Sequence, residues 1–254
     1  MNALELSKLL AAESHNDHSR LASQLAEHLA KSPVETEATR RSPTYTIRRY
    51  TNDDATSLAF AVRDVLGYQM DEYPDDLIRR LEATFGIQFA SANCDYINGG
   101  ALVTPDSRVV FLADDTADRQ FHLALEVGRL LILMSNEKDR AISLTCRDWK
   151  RPPRRHHFAR RFALELLITE PLLARSLVQV RGGLGVVSPT IGDIEIFALS
   201  RLFRISFYNT AKRLELLKLL PLGGAESLVE HLNNKFGSVE GRANALGIPA
   251  DEVP

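Results

Sequence analysis

One stretch constrains this chain more than any other: Phe121-His122-Leu123-Ala124-Leu125-Glu126-Val127-Gly128-Arg129-Leu130-Leu131. Its apolar residues recur at helical spacing and the run continues through Leu133, so it predicts an amphipathic helix that leaves a sheet and crosses the core. Asp114-Asp115-Thr116, just ahead, supplies its N-terminal cap. The helix also carries Glu126 and Arg129 one turn apart on the same face. A buried guanidinium without a partner costs several kcal/mol, so Arg129 is expected to form charge-assisted hydrogen bonds with Glu126 or with Glu165 on a later helix.

At 254 residues the chain can bury a full core, as one large domain or two small ones. With 44% hydrophobic residues, 25% charged residues and a net charge of −2, nothing global announces a nucleic-acid or membrane partner, and any such partner must be read from local patches. The start, Met1-Asn2-Ala3-Leu4-Glu5-Leu6, has no basic region leading into an apolar run. No segment reaches the ~18 apolar residues of a membrane span. The expectation is a cytoplasmic protein with no membrane partner. Cys94 and Cys146 stand far apart without C-x-x-C spacing, which argues against a disulfide framework and against a cysteine-rich zinc site.

Leucines and alanines at helical spacing in 3–12 and 19–30 predict an N-terminal helical hairpin over 1–31, broken around Ser14–His18. Residues 32–46, with Pro33 and Pro43, offer no periodic apolar face and read as a linker. The main domain, 47–181, opens with a helix capped around Asn52-Asp53-Asp54, with Leu58, Val62, Val65 and Leu66 inward, that stops at Gly67. Pro74-Asp75-Asp76 opens a second helix with Leu77, Ile78 and Leu81 inward, ended by Gly86 before a strand-like Ile87-Gln88-Phe89. Gly99-Gly100 punctuates a turn before Ala101-Leu102-Val103, and Pro105-Asp106-Ser107 separates that run from Val109-Val110-Phe111-Leu112, giving a small antiparallel sheet.

From Arg147 to Arg161 the chain is dense in cations, interrupted by Trp149, Pro152-Pro153 and His156-His157, and leads into a helix at Phe158–Leu167. It is a solvated loop and helix start, or an anion or nucleic-acid patch through Arg147, Lys150, Arg151, Arg154 and Arg155. Gly182-Gly183-Leu184-Gly185 opens the last region, 182–254, where 191–203 and 206–220 read as two helices joined at Arg204-Ile205-Ser206 in a helix-turn-helix-like pattern. Such a pair is a packing module, or a DNA reader with Lys212 and Arg213 as its cations.

In a zinc H-E-x-x-H helix, two histidines four apart offer imidazoles to one ion, and the Glu beside the first activates the bound water. Placed on this pattern, Glu126 is the retained Glu, while the histidine positions hold Leu125 and Arg129. Leucine has no lone pair, and arginine only donates and repels a cation. His122 and Glu126 do lie four apart, and with His156 or His157 they make an alternative set of three shifted ligands.

In their order, these pieces resemble the ImmA/IrrE family of zinc metallopeptidases, which relieve repression by cleaving a DNA-binding partner. Leu81-Glu82-Ala83-Thr84-Phe85-Gly86-Ile87-Gln88-Phe89 is similar to the family's entry into its sheet, and Gln120 to Arg129 to its "Arg-Phe-Thr-Leu-Ala-His-Glu-Leu-Gly-His" helix. Ala159-Arg160-Arg161-Phe162-Ala163-Leu164-Glu165-Leu166-Leu167 is similar to its "Ala-Asn-x-Phe-Ala-x-Glu-Leu-Leu" helix. Residues 198–217 look like its helix-turn-helix-like segment, and the resemblance spans roughly 50–220. It implies an α+β fold: a zincin-like helical domain with a small, mainly antiparallel sheet, followed by a helix-turn-helix-like helical segment.

The family's third metal ligand, a Glu, falls at His156, so all three ligand positions have changed and Glu126 alone matches a catalytic residue. The family uses zinc, but with its ligands absent the expectation is a chain with no cofactor. The resemblance thus implies a pseudo-peptidase: a regulatory module that binds another protein, such as a DNA-binding repressor, through the former substrate cleft beside the sheet edge. A DNA-binding transcriptional regulator and an active metallopeptidase with shifted ligands stand as the alternatives.

Overall fold

The computed structural model describes residues 18–31, 47, 50–135, 141–147 and 153–248, with side chains from Leu21 onward. The helix expected over 3–12, the linker at 32–46, and Lys150 and Arg151 lie outside them. Contacts divide the described residues into two compact units. One comprises residues up to Tyr68, Pro74–Thr116 and His122–Leu166, and the other Gln69–Tyr73, Ala117–Phe121 and the chain from Leu167 onward.

The first unit contains α1 (His18–Lys31), α2 (Asn52–Val65), α3 (Leu77–Phe85), β1 (Ile87–Ala92), β2 (Ile97–Val103) and β3 (Arg108–Ala113). Most of α4 (Arg119–Ser135), β4 (Ala141–Cys146) and α5 (Arg154–Leu167) follow. α2 starts in a reciprocal cap: Thr51 Oγ1 accepts from the Asp54 N–H at 3.1 Å, and the Asp54 carboxylate accepts from the Thr51 N–H at 3.3 Å. Leu77, Leu81 and Phe85 form the buried stripe of α3, which leaves Ile78, expected inward, a quarter turn away and 43% exposed. Val65, also expected inward, is exposed in the last turn of α2, while Leu66 after it is buried.

The sheet order is β1-β3-β2-β4. β2 pairs antiparallel with both β3 and β4, as expected of a mainly antiparallel sheet, while β1 runs parallel to β3. Gly99 and Gly100, expected to form a turn, lie inside β2. A Cβ on Gly99 would stand 2.6 Å from the Phe111 carbonyl oxygen, and one on Gly100 would stand 2.5 Å from the Phe111 ring. These glycines serve close approach within a packed sheet.

Period-two alternation divides the sheet between two layers. Leu102, Val109, Phe111, Ile142 and Leu144 join Leu21, Ala22 and Leu25 of α1 in one core cluster. On the other face lies α4, whose Glu126 Cγ would be 3.2 Å from a Cβ on Gly99. α5 packs on α4 at Gly128, where a Cβ would meet the Phe162 ring at 2.7 Å. Asp114-Asp115-Thr116, expected to cap α4, instead lies ahead of its start at Arg119: the Thr116 hydroxyl donates to the Asn98 carbonyl at 2.7 Å, and Asp115 pairs with Arg147.

The second unit contains α6 (Glu170–Leu184), α7 (Asp193–Phe203), α8 (Phe207–Leu216), α9 (Gly224–Phe236) and α10 (Val239–Ala245). α6 belongs here, so the contact boundary at Leu166 precedes the division read after residue 181. Thr169 caps α6, and Gly185 ends it at φ 64°. Arg181 and Glu195 join α6 to α7 through an ion pair at 2.7 Å. The turn between α7 and α8 uses Arg204 at φ 50° and Ser206, whose hydroxyl accepts from the Asn209 N–H at 3.2 Å. Among the described residues, no helix is long and apolar enough to cross a membrane.

Candidate functional site

α4 and β4 bring together the charged and polar residues of greatest interest. Glu126 is 0% exposed and Arg129 4% exposed, so this carboxylate and this guanidinium both lie inside the first unit. Arg129 Nε stands 3.3 Å from Glu126 Oε2, an ion pair without hydrogen-bond alignment. The Thr145 hydroxyl donates to Glu126 Oε1. Arg129 Nη2 donates to the Ser143 hydroxyl and, at 2.5 Å, to the Leu144 carbonyl. The guanidinium thus fastens α4 to the edge strand while standing beside the carboxylate of its own helix.

Of the two carboxylates expected to meet Arg129, the structure selects Glu126. Glu165 instead pairs with Arg161 at 2.7 Å and accepts from the Thr56 hydroxyl at 3.3 Å. Burial pushes the Glu126 carboxyl up to about 7, against the opposing pull of the Arg129 charge and the Thr145 hydrogen bond. His156, also buried, is held down to about 3 by burial first, then by the positive charges of Arg129 and Arg160 and by His157 and His122. It is therefore a neutral imidazole near neutral pH.

The residues present do not fit the zinc that the family resemblance implies. Leu125 is buried and offers no donor, Arg129 supplies a fixed positive charge, and Glu126 already serves Thr145 and Arg129. For the alternative ligands, His122 is half-buried, His157 exposed, and the His156 and His157 rings are 6.3 Å apart. Among the described residues, no group of three or more His, Cys, Asp or Glu side chains is arranged to hold a metal ion.

Among the described residues, the candidate nucleic-acid contacts stand in different local settings. Arg147 donates to the Ile97 carbonyl at 3.0 Å and pairs with Asp115. Arg154 and Arg155 are exposed in the first turn of α5. Lys212 is 3.0 Å from Glu215 and 2.8 Å from Glu226. Arg213, a nucleic-acid contact under the DNA-reader alternative, is 0% exposed and donates to the Ile168 carbonyl at 2.7 Å, so it is a core residue. The whole inward side of α8, Phe207, Asn209, Thr210, Ala211, Arg213 and Leu214, is buried.

Sequence reasoning missed β4 and with it Ser143 and Thr145, the hydroxyls that complete the site. Their signal was the alternation in Ala141-Ile142-Ser143-Leu144-Thr145-Cys146, which puts both hydroxyls on one face and Ile142 and Leu144 on the other. No protein-family model matches this chain, and no curated protein matches it.

Proposed function

We propose that this chain is a pseudo-peptidase of the ImmA/IrrE plan, a regulatory module that binds another protein without cutting it. One observation carries the reading: at the position where the family resemblance puts a metal ligand, the Arg129 guanidinium ties Glu126, Ser143 and Leu144 together. A carboxylate held beside that charge and under the Thr145 hydroxyl is poorly placed to activate water. The remaining role is recognition, and a peptide strand adding to a sheet edge needs no metal. The preferred partner is a DNA-binding repressor, following the family's regulatory chemistry. Direct DNA binding draws less support, because Arg213 is buried and Lys212 is engaged by two glutamates.

Restoring the ligands tests the correspondence. Purified wild-type chain is expected to retain no stoichiometric zinc after dialysis, whereas a Leu125→His, Arg129→His, His156→Glu variant is expected to gain one zinc per chain. A folded triple variant that binds none, or a wild-type chain that keeps zinc, overturns the pseudo-peptidase reading. Recovery of the tagged chain from its host is expected to bring down a stoichiometric protein partner, and an intact lone monomer counts against the binding role.

A further inference from the structure

The two faces of the sheet are covered in different ways. α4 lies between β3 and β4 in the chain and is tied to β4 through Arg129. α1 stands outside that run: it precedes α2, and residues 32–46, with Pro33 and Pro43, separate it from Ile47. The opposite face nevertheless rests on it. Leu21, Ala22 and Leu25 are buried in one cluster with Phe111 and Leu144, and Ala26 and Leu29 pack against that cluster.

The seated α1 shows what this face accepts. Its apolar residues fall at i, i+1, i+4, i+5 and i+8, a single helical stripe, while Ser23, Glu27 and Lys31 are exposed. Glu27 and Lys31 pair at 2.6 Å within the helix, in solvent, where such pairs contribute little. A hydrogen bond from the Asn93 N–H to Gln24 Oε1, at 3.0 Å and also exposed, joins α1 to the connection after β1. Holding all 14 residues in one conformation costs entropy along the whole helix, and a helix of this length is marginal in water by itself. Against that cost, the described side chains bury two leucines and an alanine, with Ala26 and Leu29 in part. This balance places α1 among the weakly held parts of its unit, over an apolar face that needs a cover.

We propose that α1 is an exchangeable strap, seated on a sheet surface that docks an amphipathic helix of a protein partner with the same apolar stripe. Docking requires α1 to lift. Because α1 is tethered, it competes at high effective concentration, and only a helix that fits the face better displaces it. The surface is on the side of the sheet away from Glu126, so it stands apart from the pseudo-peptidase reading and survives its failure.

The probe is a synthetic fluorescent peptide of residues 18–31. In hydrogen exchange of the full chain, the α1 amides are expected to exchange about 100-fold faster than those of α4. Added peptide is expected to bind, to gain protection itself and to strip protection from α1, whereas a peptide carrying Leu21→Glu and Leu25→Glu stays free. The same two changes made in the chain release the strap and are expected to tighten binding of the unaltered peptide about tenfold, with exchange of α4 unchanged. The exchange measurements on the unaltered chain decide the question without that variant. α1 amides as slow as those of α4, a peptide that binds without loosening α1, or no tighter binding to the folded double-glutamate chain overturns the proposal.

Discussion

Arg129 on α4 and Arg213 on α8 are both withdrawn from solvent, yet their surroundings ask different things of them. Arg129 stands beside a carboxylate and reaches two groups of a neighbouring strand, Ser143 and Leu144. Arg213 gives its Nε–H to a backbone carbonyl at Ile168. The first setting contains groups that titrate, Glu126 and His156, so its energy varies with pH and with the charge of either partner. The Ile168 carbonyl does not titrate, so that hydrogen bond does not itself vary with pH. Burial of a cation therefore says little about function by itself, and the chemistry of a given partner decides whether that contact responds to pH.

The sharpest way to break this contrast is to remove Arg129. Arg129→Ala leaves Glu126 buried beside an empty space and is expected to lose about 3–5 kcal/mol in urea unfolding. Glu126→Gln with Arg129→Met removes both charges together and should recover much of that loss. A double variant no more stable than Arg129→Ala would show that the two residues do not act as a pair. Arg213→Ala should cost less, about 1.5–3 kcal/mol, through its hydrogen bond to Ile168. Its neighbour Lys212→Ala should cost below about 1 kcal/mol, because that cation is partly exposed. Equal losses at 212 and 213 would erase the distinction between core and surface cation on α8.

The pH dependence is the subtlest test. Glu126 is raised in the fold, from 4.5 to about 7, so the folded state holds its proton longer. Its contribution is full below 4.5 and is lost as pH rises towards 7. His156 is lowered, from 6.5 to about 3, so its contribution is full above 6.5 and is lost as pH falls towards 3. Between 4.5 and 6.5 the two oppose each other. Relative to wild type, His156→Gln should therefore tilt the stability curve downward with rising pH, and Glu126→Gln should tilt it upward. Parallel curves for all three proteins would show that neither group titrates in that window.

The sequence made most of the described helices and several of their stops legible because they depend on local pattern. The stops at Gly67 and Gly86 are where the structure has left-handed residues, and the Arg204-Ile205-Ser206 connection is where it turns. What escaped depends on contacts distant in sequence. Gly99-Gly100 has the composition of a turn, and the crowding by Phe111 that keeps it in a strand appears only when β3 is alongside. The electrostatics of α4 fixed the need for an Arg129 partner and narrowed it to two carboxylates. The hydroxyls on β4 were hidden because nothing local pairs residues 126 and 129 with 143 and 145.

The strand order also dictates a sequence of assembly. β2 and β3 are joined by a tight turn and can pair early, whereas β4 reaches β2 only after the whole of α4 has been made. On that order, the buried pair on α4 is expected to gain Thr145 and Ser143 late, after the transition state has collected most of its contacts. Changes at Arg129 should accordingly quicken unfolding with little effect on the refolding rate, whereas Gly99→Ala, in the early hairpin, should slow refolding. Stopped-flow chevrons read both limbs, and a slower refolding limb for Arg129→Ala would reverse this order. If the chevrons bear out this order, the last strand to arrive is the one that locks the charged helix in place, and the lifetime of the native state is set at its edge.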